Sequence, residues 1–122
     1  MPMEVSTTLA QTIDKINHFV NERDWNQFHT IKNIISSISI EAAELSETIQ
    51  WSNPPVEEVL SDHSLLGNIG EEVADVMIYC LRLCSILELD PIGLMENKIK
   101  LNALKYPISK AKGNSQKYTA LE

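Results

Sequence analysis

Apolar residues recur at intervals of three and four along almost the whole of this 122-residue chain. This spacing places side chains on one face of an α-helix, which has about 3.6 residues per turn. Glycine is scarce, and β-branched residues do not alternate with polar ones as they would in a half-buried strand. The pattern therefore predicts an all-α fold, and the length of the chain favours a single domain.

Start and stop signals divide the chain into four predicted helices. Thr30 and Asp90 can cap first turns with their side-chain oxygens, and Pro91 suits a first helical position. Pro54 and Pro55 end the second helix because they supply no backbone donor. The predicted helices cover about Thr7 to Glu22, Thr30 to Trp51, Leu65 to Glu88 and Asp90 to Tyr106.

Two other parts of the chain have weaker patterns. The stretch from Pro55 to Gly70 is ambiguous and fits a short helix followed by a turn. The polar tail from residue 107 to 122 is predicted to be irregular. We therefore expect one domain over residues 1–122, with its core at about 7–106.

Charge and hydropathy exclude several classes of partner. The net charge of −7 disfavours broad binding to a nucleic-acid polymer or an anionic membrane. No apolar run reaches the roughly 18 residues of a membrane span, and the N-terminus lacks the features of a secretory signal. We expect a cytoplasmic protein, and we expect Cys80 and Cys84, one helical turn apart, to be buried reduced thiols.

Three glutamates lie close together in the segment IEAAELSETIQW of the second predicted helix. Each residue advances about 100° around a helix. Relative to the centre of the apolar stripe, Glu41 lies roughly 65° to one side, Glu44 roughly 125° to that side, and Glu47 nearly opposite. Only Glu41 and Glu44 therefore border the predicted core. The apolar stripe consists of Ile31, Ile34, Ile35, Ile38, Ala42, Leu45 and Ile49.

The third predicted helix has acidic residues on the matching flank. Glu72, Asp75 and Tyr79 lie on that side of its apolar stripe, whereas Glu71 faces outward. A short connection most simply makes the second and third helices antiparallel neighbours, and equivalent flanks then face each other. The four carboxylates of Glu41, Glu44, Glu72 and Asp75 are therefore predicted to converge.

Four converging carboxylates repel one another and raise each other's pKa values. A hard divalent cation with oxygen ligands, Mg²⁺ or Mn²⁺, would offset this repulsion. A ferritin-like di-iron site is a weaker alternative because it needs Glu-x-x-His pairs, and this chain has Glu-x-x-Glu and Glu-x-x-Asp. The simplest alternative is that each acidic pair lies on a solvated helix face.

Several blocks of the sequence resemble one family. EAAE and the later EVAD resemble the E-x-x-E…E-x-x-D signature of the MazG-like all-α nucleotide pyrophosphohydrolases. RDWNQFHTIKN, EAAELSETIQW, EEVADVMIYCLRL, NKIKLNALKYP and QKYT look like blocks of its dCTP pyrophosphatase branch, in the same order from about residue 22 to 120. The resemblance implies a four-helix bundle assembled as a homo-oligomer, commonly a tetramer. It also implies Mg²⁺-dependent cleavage of a (deoxy)nucleoside triphosphate to the monophosphate and pyrophosphate.

The resemblance also implies roles for individual residues. The Mg²⁺ ligands would be Glu41, Glu44, Glu72 and Asp75, and Glu41 would additionally accept a proton from the attacking water. The substrate-binding residues would be Trp25, His29, Lys32, Asn33, Trp51, Tyr79, Lys98 and Asn102. Aromatic side chains at helix ends are also common in core and interface packing, which is the alternative for the two tryptophans.

These features predict a house-cleaning enzyme of the nucleotide pool, with dCTP or a related deoxynucleotide as substrate. The compact connection SNPPVEEVLSDHSLLGN and the short N-terminus differ from longer relatives, so the preferred base stays open. The alternative is a helical module that binds a nucleotide or a partner protein without turnover.

Overall fold

The computed structural model describes residues 7–121, and within this range the chain is all-α. It contains six α-helices, two short 3₁₀ segments at Asn26–Phe28 and Tyr118–Ala120, and no strand among the described residues. The chain forms two compact units that divide between Glu88 and Leu89. The helices are α1 (Leu9–Glu22), α2 (Ile31–Glu47), α3 (Val56–Ser61), α4 (His63–Ile86), α5 (Pro91–Lys105) and α6 (Ile108–Ala111).

Side-chain caps start the helices of the first unit close to the predicted positions. Thr8 and Gln11 form a reciprocal capping box at α1, which satisfies amide groups of its first turn. The Thr30 hydroxyl accepts from the Asn33 amide at 3.1 Å, so the predicted cap of α2 is confirmed. Asp62 caps α4 by accepting from the Leu65 amide at 3.1 Å.

The second helix ends earlier than predicted. We expected it to reach Trp51, but α2 ends at Glu47 and the next residues form turns. The Thr48 hydroxyl donates to the Leu45 carbonyl at 2.7 Å, and the amides of Thr48, Ile49 and Gln50 bond to carbonyls three residues back. The α-helical bonds are replaced by tighter turns, because a threonine hydroxyl competes for the backbone.

The ambiguous stretch after the two prolines contains the expected short helix, α3, with almost no turn behind it. Asp62 is both the C-cap of α3 and the N-cap of α4. The long fourth helix therefore begins at His63, slightly before the predicted start, and continues through Gly67 and Gly70.

Helix α4 is the centre of the first unit and packs mainly against α2, with α1 and α3 also in contact. His29, just before α2, meets Arg82 near the end of α4, whereas Thr48, after α2, borders the same depression as Asn68 near the start of α4. Residue numbers therefore increase along α2 in the direction in which they decrease along α4. The two helices are therefore antiparallel, as predicted.

Much of the predicted core is exposed in the single chain. Val20 and Ile34 are the buried apolar side chains among the described residues, and Arg82 is buried with them. Ile35 is 52% exposed, although the periodicity of α2 predicts it to face inward. The prediction is wrong for the isolated chain, because the apolar stripe of α2 packs mainly against α4 and part of the stripe extends beyond that contact. Ile31, Ile49, Phe19, Val73, Met77 and Leu87 also remain exposed.

The second unit starts with α5. Asp90 caps this helix by accepting from the Ile92 amide at 3.2 Å, and Pro91 occupies the first turn, as predicted. The tail is less irregular than predicted, because it contains α6 and a 3₁₀ segment. Tyr118 packs edge-on against Tyr106, with ring centroids 6.1 Å apart, and this contact joins the tail to the end of α5.

None of the described helices combines the length and the apolar character that a membrane crossing requires.

Candidate active site

Helices α2 and α4 bring acidic side chains together where they face each other. Carboxylate oxygens of Glu41, Glu72 and Asp75 all lie within 4.8 Å of one another. The neighbouring Glu44 carboxyl raises the pKa of both Glu41 and Glu72. Three of the four predicted carboxylates therefore converge, with Glu44 beside them, and we call Glu41, Glu44, Glu72 and Asp75 the acidic cluster.

Two glutamates next to the cluster stay outside the group of converging oxygens. Glu47 and Glu71 border an adjacent open depression of about 300 Å³ together with Glu44 and Glu72. Both are exposed. Their charges add to the negative potential of the site, but their carboxylates are not among the three that lie within 4.8 Å of one another.

Mutual proximity shifts the protonation of the cluster. Hydrogen bonding to Glu44, partial burial and repulsion from Glu44, Asp75 and Glu72 raise the pKa of Glu41 to about 7. Desolvation, and then repulsion from Glu44 and Asp75, also raises the pKa of Glu72. The Glu41 carboxyl therefore binds a proton more readily than an isolated glutamate does, and a cation would displace that proton.

The donor set suits a hard divalent cation. Oε2 of Glu41 and Oε2 of Glu72 are inaccessible to solvent and have no hydrogen-bond partner in the described part of the chain. Leaving an anionic oxygen unpaired is unfavourable, and a cation would satisfy both atoms. Oxygens in an octahedral shell around Mg²⁺ lie about 3 to 4.2 Å apart, so the cluster needs only a small contraction to form one. The acidic cluster could thus hold a metal ion.

A cavity of about 420 Å³ adjoins the acidic cluster. Its wall is mainly apolar and aromatic, and α1, the segment after it, and α4 supply the lining. Asp75 belongs to both the cavity wall and the cluster, so a ligand in the cavity would lie beside the carboxylates. The lining residues are Thr12, Lys15, Ile16, Phe19, Val20, Trp25, His29, Asp75, Ile78, Tyr79 and Arg82.

The sequence model of the MazG-like family matches residues 36–121, a range that contains all four acids of the cluster. The chain belongs to the MazG-like family. The resemblance inferred from EAAE and EVAD is confirmed.

Curated relatives of this MazG-like chain include dCTP pyrophosphatase 1 from Homo sapiens, which is 34% identical over 106 residues. The protein of the same name from Mus musculus is 31% identical over 112 residues. Each alignment covers 84% of this chain and 61% of the relative. The chain thus spans about three fifths of the length of these relatives.

A solved structure also resembles this MazG-like chain. The crystal structure of a pyrophosphatase from Archaeoglobus fulgidus has a TM-score of 0.75 and 37% sequence identity. The match covers 88% of this chain and 99% of the archaeal one. The two chains are therefore similar over almost the whole archaeal protein.

Three of the predicted substrate-binding residues, Trp25, His29 and Tyr79, line the cavity. The Trp25 ring packs edge-on against Phe19 with centroids 5.7 Å apart, so one aromatic wall is held in place by another. Asp24 precedes Trp25 with a left-handed φ of 55°, and the Trp25 amide returns to the Val20 carbonyl at 3.1 Å. The end of α1 thus directs the tryptophan into the cavity wall.

Other predicted substrate residues are not part of this wall. Lys32 is exposed on α2, and Trp51 is 91% exposed beyond its end. The Asn33 side-chain amide donates to the Phe28 carbonyl at 3.0 Å, which ties it to the turn before α2. Lys98 and Asn102 lie exposed on α5, in the second unit. Their proposed roles rest on the resemblance alone.

The motifs and spacings of the sequence did not identify Arg82, which is buried and lines the cavity. Its Nη1 donates to Asn17 at 2.7 Å, its Nη2 donates to Asn26, and its Nε donates to Nδ1 of His29 at 3.1 Å. Burial lowers the pKa of the Arg82 guanidinium. A single cation inside the apolar run MIYCLRLCSIL was the available signal, since a charge there needs buried partners.

Proposed function

We propose that this chain is a Mg²⁺-dependent nucleoside triphosphate pyrophosphohydrolase that converts dCTP or a related deoxynucleotide to the monophosphate and pyrophosphate. The observation that carries the proposal is the position of Asp75, which joins the acidic cluster to the aromatic cavity. A triphosphate could lie against the cluster while its base occupies the cavity. The family membership and the names of the relatives support the same activity.

The acidic cluster is the proposed Mg²⁺ site, with Mn²⁺ as a chemical alternative. Glu41, Glu44, Glu72 and Asp75 would be its ligands, and the two unpartnered oxygens support this assignment. When bound, the cation would neutralise phosphate charge and lower the pKa of a coordinated water. Without a cation, four carboxylates would repel a polyanionic substrate.

The protein's own side chains would then orient the substrate and move one proton. Glu41 is the proposed general base, because its carboxylate belongs to the acidic cluster, beside which the attacking water would bind. Trp25 would stack on the base, and His29 and Tyr79 would donate hydrogen bonds to the nucleotide. We further propose that Lys32, Asn33, Trp51, Lys98 and Asn102 bind sugar, base or phosphate from outside the cavity wall.

We propose that the chain is a single domain of the four-helix bundle type and works as a homo-oligomer, a tetramer. Exposed apolar side chains support this assembly, because so few are buried within one chain. In α5, Ile99 is 67% exposed and Leu104 is 79% exposed, and in α2 the exposed residues include Ile31 and Ile35. A cytoplasmic role in cleansing the nucleotide pool fits the proposed activity.

A turnover screen tests the proposal. The purified chain is incubated with each common ribo- and deoxyribonucleoside triphosphate and Mg²⁺, and phosphate is measured with malachite green with and without added inorganic pyrophosphatase. We expect phosphate from dCTP only after the pyrophosphatase is added. A complete lack of product with every nucleotide would refute the proposal.

Calorimetry combined with chromatography distinguishes the enzyme from the non-catalytic alternative. A helical nucleotide-binding module would release heat on nucleotide addition in a calorimeter and leave the triphosphate intact by chromatography. An enzyme of the proposed kind would convert the triphosphate under those conditions.

A further inference from the structure

Arg82 is a buried cation whose partners are all neutral. It is 8% exposed, and its three donor positions bond to Asn17, Asn26 and His29 as described above. No carboxylate pairs with it among the described residues, so its charge is held by side-chain acceptors alone. Such a buried network is unfavourable unless its members are fully bonded, so its geometry is tightly constrained.

The bond to His29 fixes the position of that residue's proton. The Nε–H group of Arg82 can only donate, so Nδ1 of His29 must accept and cannot carry a hydrogen. A neutral imidazole without a proton on Nδ1 carries it on Nε2. Burial and the neighbouring Arg82 charge lower the pKa of His29, which keeps the ring neutral.

We infer that Arg82 is a positioning residue that locks His29 as the Nε2–H tautomer, so that His29 offers a bound base a hydrogen-bond donor and never an acceptor. This inference rests on the proposed function, because it assigns base selectivity to the same cavity. His29 and Arg82 both line that cavity. With Nδ1 engaged by Arg82, Nε2–H is the remaining nitrogen of the imidazole with which His29 could contact a ligand.

A histidine that only donates distinguishes the pyrimidines if it meets the base at ring position 3. Cytosine has an acceptor at N3, whereas uracil and thymine carry a hydrogen there. With Nε2–H directed at position 3, cytosine would form a hydrogen bond, whereas uracil would bring its own N3–H against the histidine donor. A site built to bond one partner rejects the other strongly, because the mismatch leaves buried polar groups unpaired. A histidine free to exchange tautomers would lose this selectivity.

The tautomer can be measured on the ligand-free protein, without any turnover. In protein labelled with ¹⁵N at histidine, long-range ¹H–¹⁵N spectra at pH 7.5 should show a protonated Nε2 and an unprotonated Nδ1 for His29. Exposed His63 serves as the internal reference. The same spectrum of Arg82→Lys should show a mixture of tautomers. A wild-type spectrum with a proton on Nδ1 of His29 would overturn the inference, even if Arg82→Lys fails to fold.

Nucleotide binding tests the consequence. Calorimetry with the non-hydrolysable α,β-imido analogues of dCTP and dUTP and Mg²⁺ gives a ratio of dissociation constants that cancels general losses of stability. We expect His29→Phe to reduce the preference for the dCTP analogue about tenfold, and Arg82→Lys about threefold or more. Lys110→Arg, a charge-conserving change at an exposed residue of α6 that has no proposed role, should leave the ratio unchanged.

The outcomes separate this inference from the proposed function. An unchanged ratio in both His29→Phe and Arg82→Lys would refute base selection by His29, even if the wild-type protein hydrolyses dCTP. Conversely, failure to hydrolyse any triphosphate would refute the proposed function, whereas the histidine spectrum and the binding ratio would still report on the Arg82–His29 pair.

Discussion

Replacing Glu41 with glutamine should stabilise the metal-free protein and destabilise the protein in Mg²⁺. The substitution keeps the shape of the side chain and removes one charge from the acidic cluster. Oxygens of Glu41 and Asp75 lie within 4.8 Å of each other. At that largest separation two unit charges repel by about 3.5 kcal/mol at an effective dielectric constant of about 20, and by about 1 kcal/mol in water.

Because part of the Glu41 side chain remains in solvent, the lower value applies. Without metal, Glu41→Gln should therefore raise the free energy of unfolding by about 1 kcal/mol, or Tm by roughly 3–5 °C for a chain of this size. At a free Mg²⁺ concentration of about 100 times Kd, the wild type gains about 2.7 kcal/mol. A variant whose Kd is about a hundredfold higher gains only about 0.4 kcal/mol, so the order of stability reverses.

Thermal unfolding followed by circular dichroism, with EDTA or with Mg²⁺, measures both effects. Glu47→Gln is the matched control, since it makes the same charge change on α2 outside the three converging oxygens. We expect the control to change Tm little in EDTA and to retain the gain from Mg²⁺. If Glu41→Gln and Glu47→Gln behaved alike in both conditions, the assignment of Glu41 to a metal site would be refuted.

Three further results are expected. Glu44→Gln and Asp75→Asn should each abolish pyrophosphate release, because each removes a proposed metal ligand. Both variants should keep the helical circular dichroism spectrum, because they remove charge from a repelling cluster. A loss of helix would contradict the assignment. The metal-free stability advantage of Glu41→Gln over the wild type should be small near pH 4.5 and complete above pH 7. The raised pKa of about 7 means that the wild type loses stability as pH rises through this window. An advantage that is independent of pH in denaturant titrations would oppose this prediction. Glu88 has a left-handed φ of 55°, a conformation that asparagine adopts more readily than glutamate. Glu88→Asn should therefore raise the free energy of unfolding by about 0.5–1 kcal/mol. A decrease would show that the Glu88 side chain stabilises the fold in another way.

The sequence was most informative where local chemistry decides the structure. Thr30, Asp90 and Pro91 predict helix starts because a cap involves only neighbouring residues. The convergence of Glu41 with Asp75 also follows from sequence, since helical periodicity fixes each angle and a short connection makes the helices antiparallel.

Features that depend on three-dimensional packing could not be obtained in this way. Periodicity assigns Ile35 to an apolar stripe, but it does not reveal whether the same chain or another molecule covers that stripe. The early end of α2 depends on the bond that Thr48 makes to the Leu45 carbonyl. The Arg82 network joins residues from three separate segments, and the sequence shows only that Arg82 is an isolated cation among apolar residues.

The most direct test of the proposed function is the product balance of dCTP hydrolysis. The wild-type chain and Glu44→Gln are incubated with dCTP, in Mg²⁺ or in EDTA, and the nucleotides and pyrophosphate are quantified by anion-exchange chromatography. We predict that the wild type in Mg²⁺ forms dCMP and pyrophosphate in equal amounts, and that EDTA or Glu44→Gln prevents both. Formation of dCDP and phosphate, or equal turnover in EDTA, would contradict the proposed function.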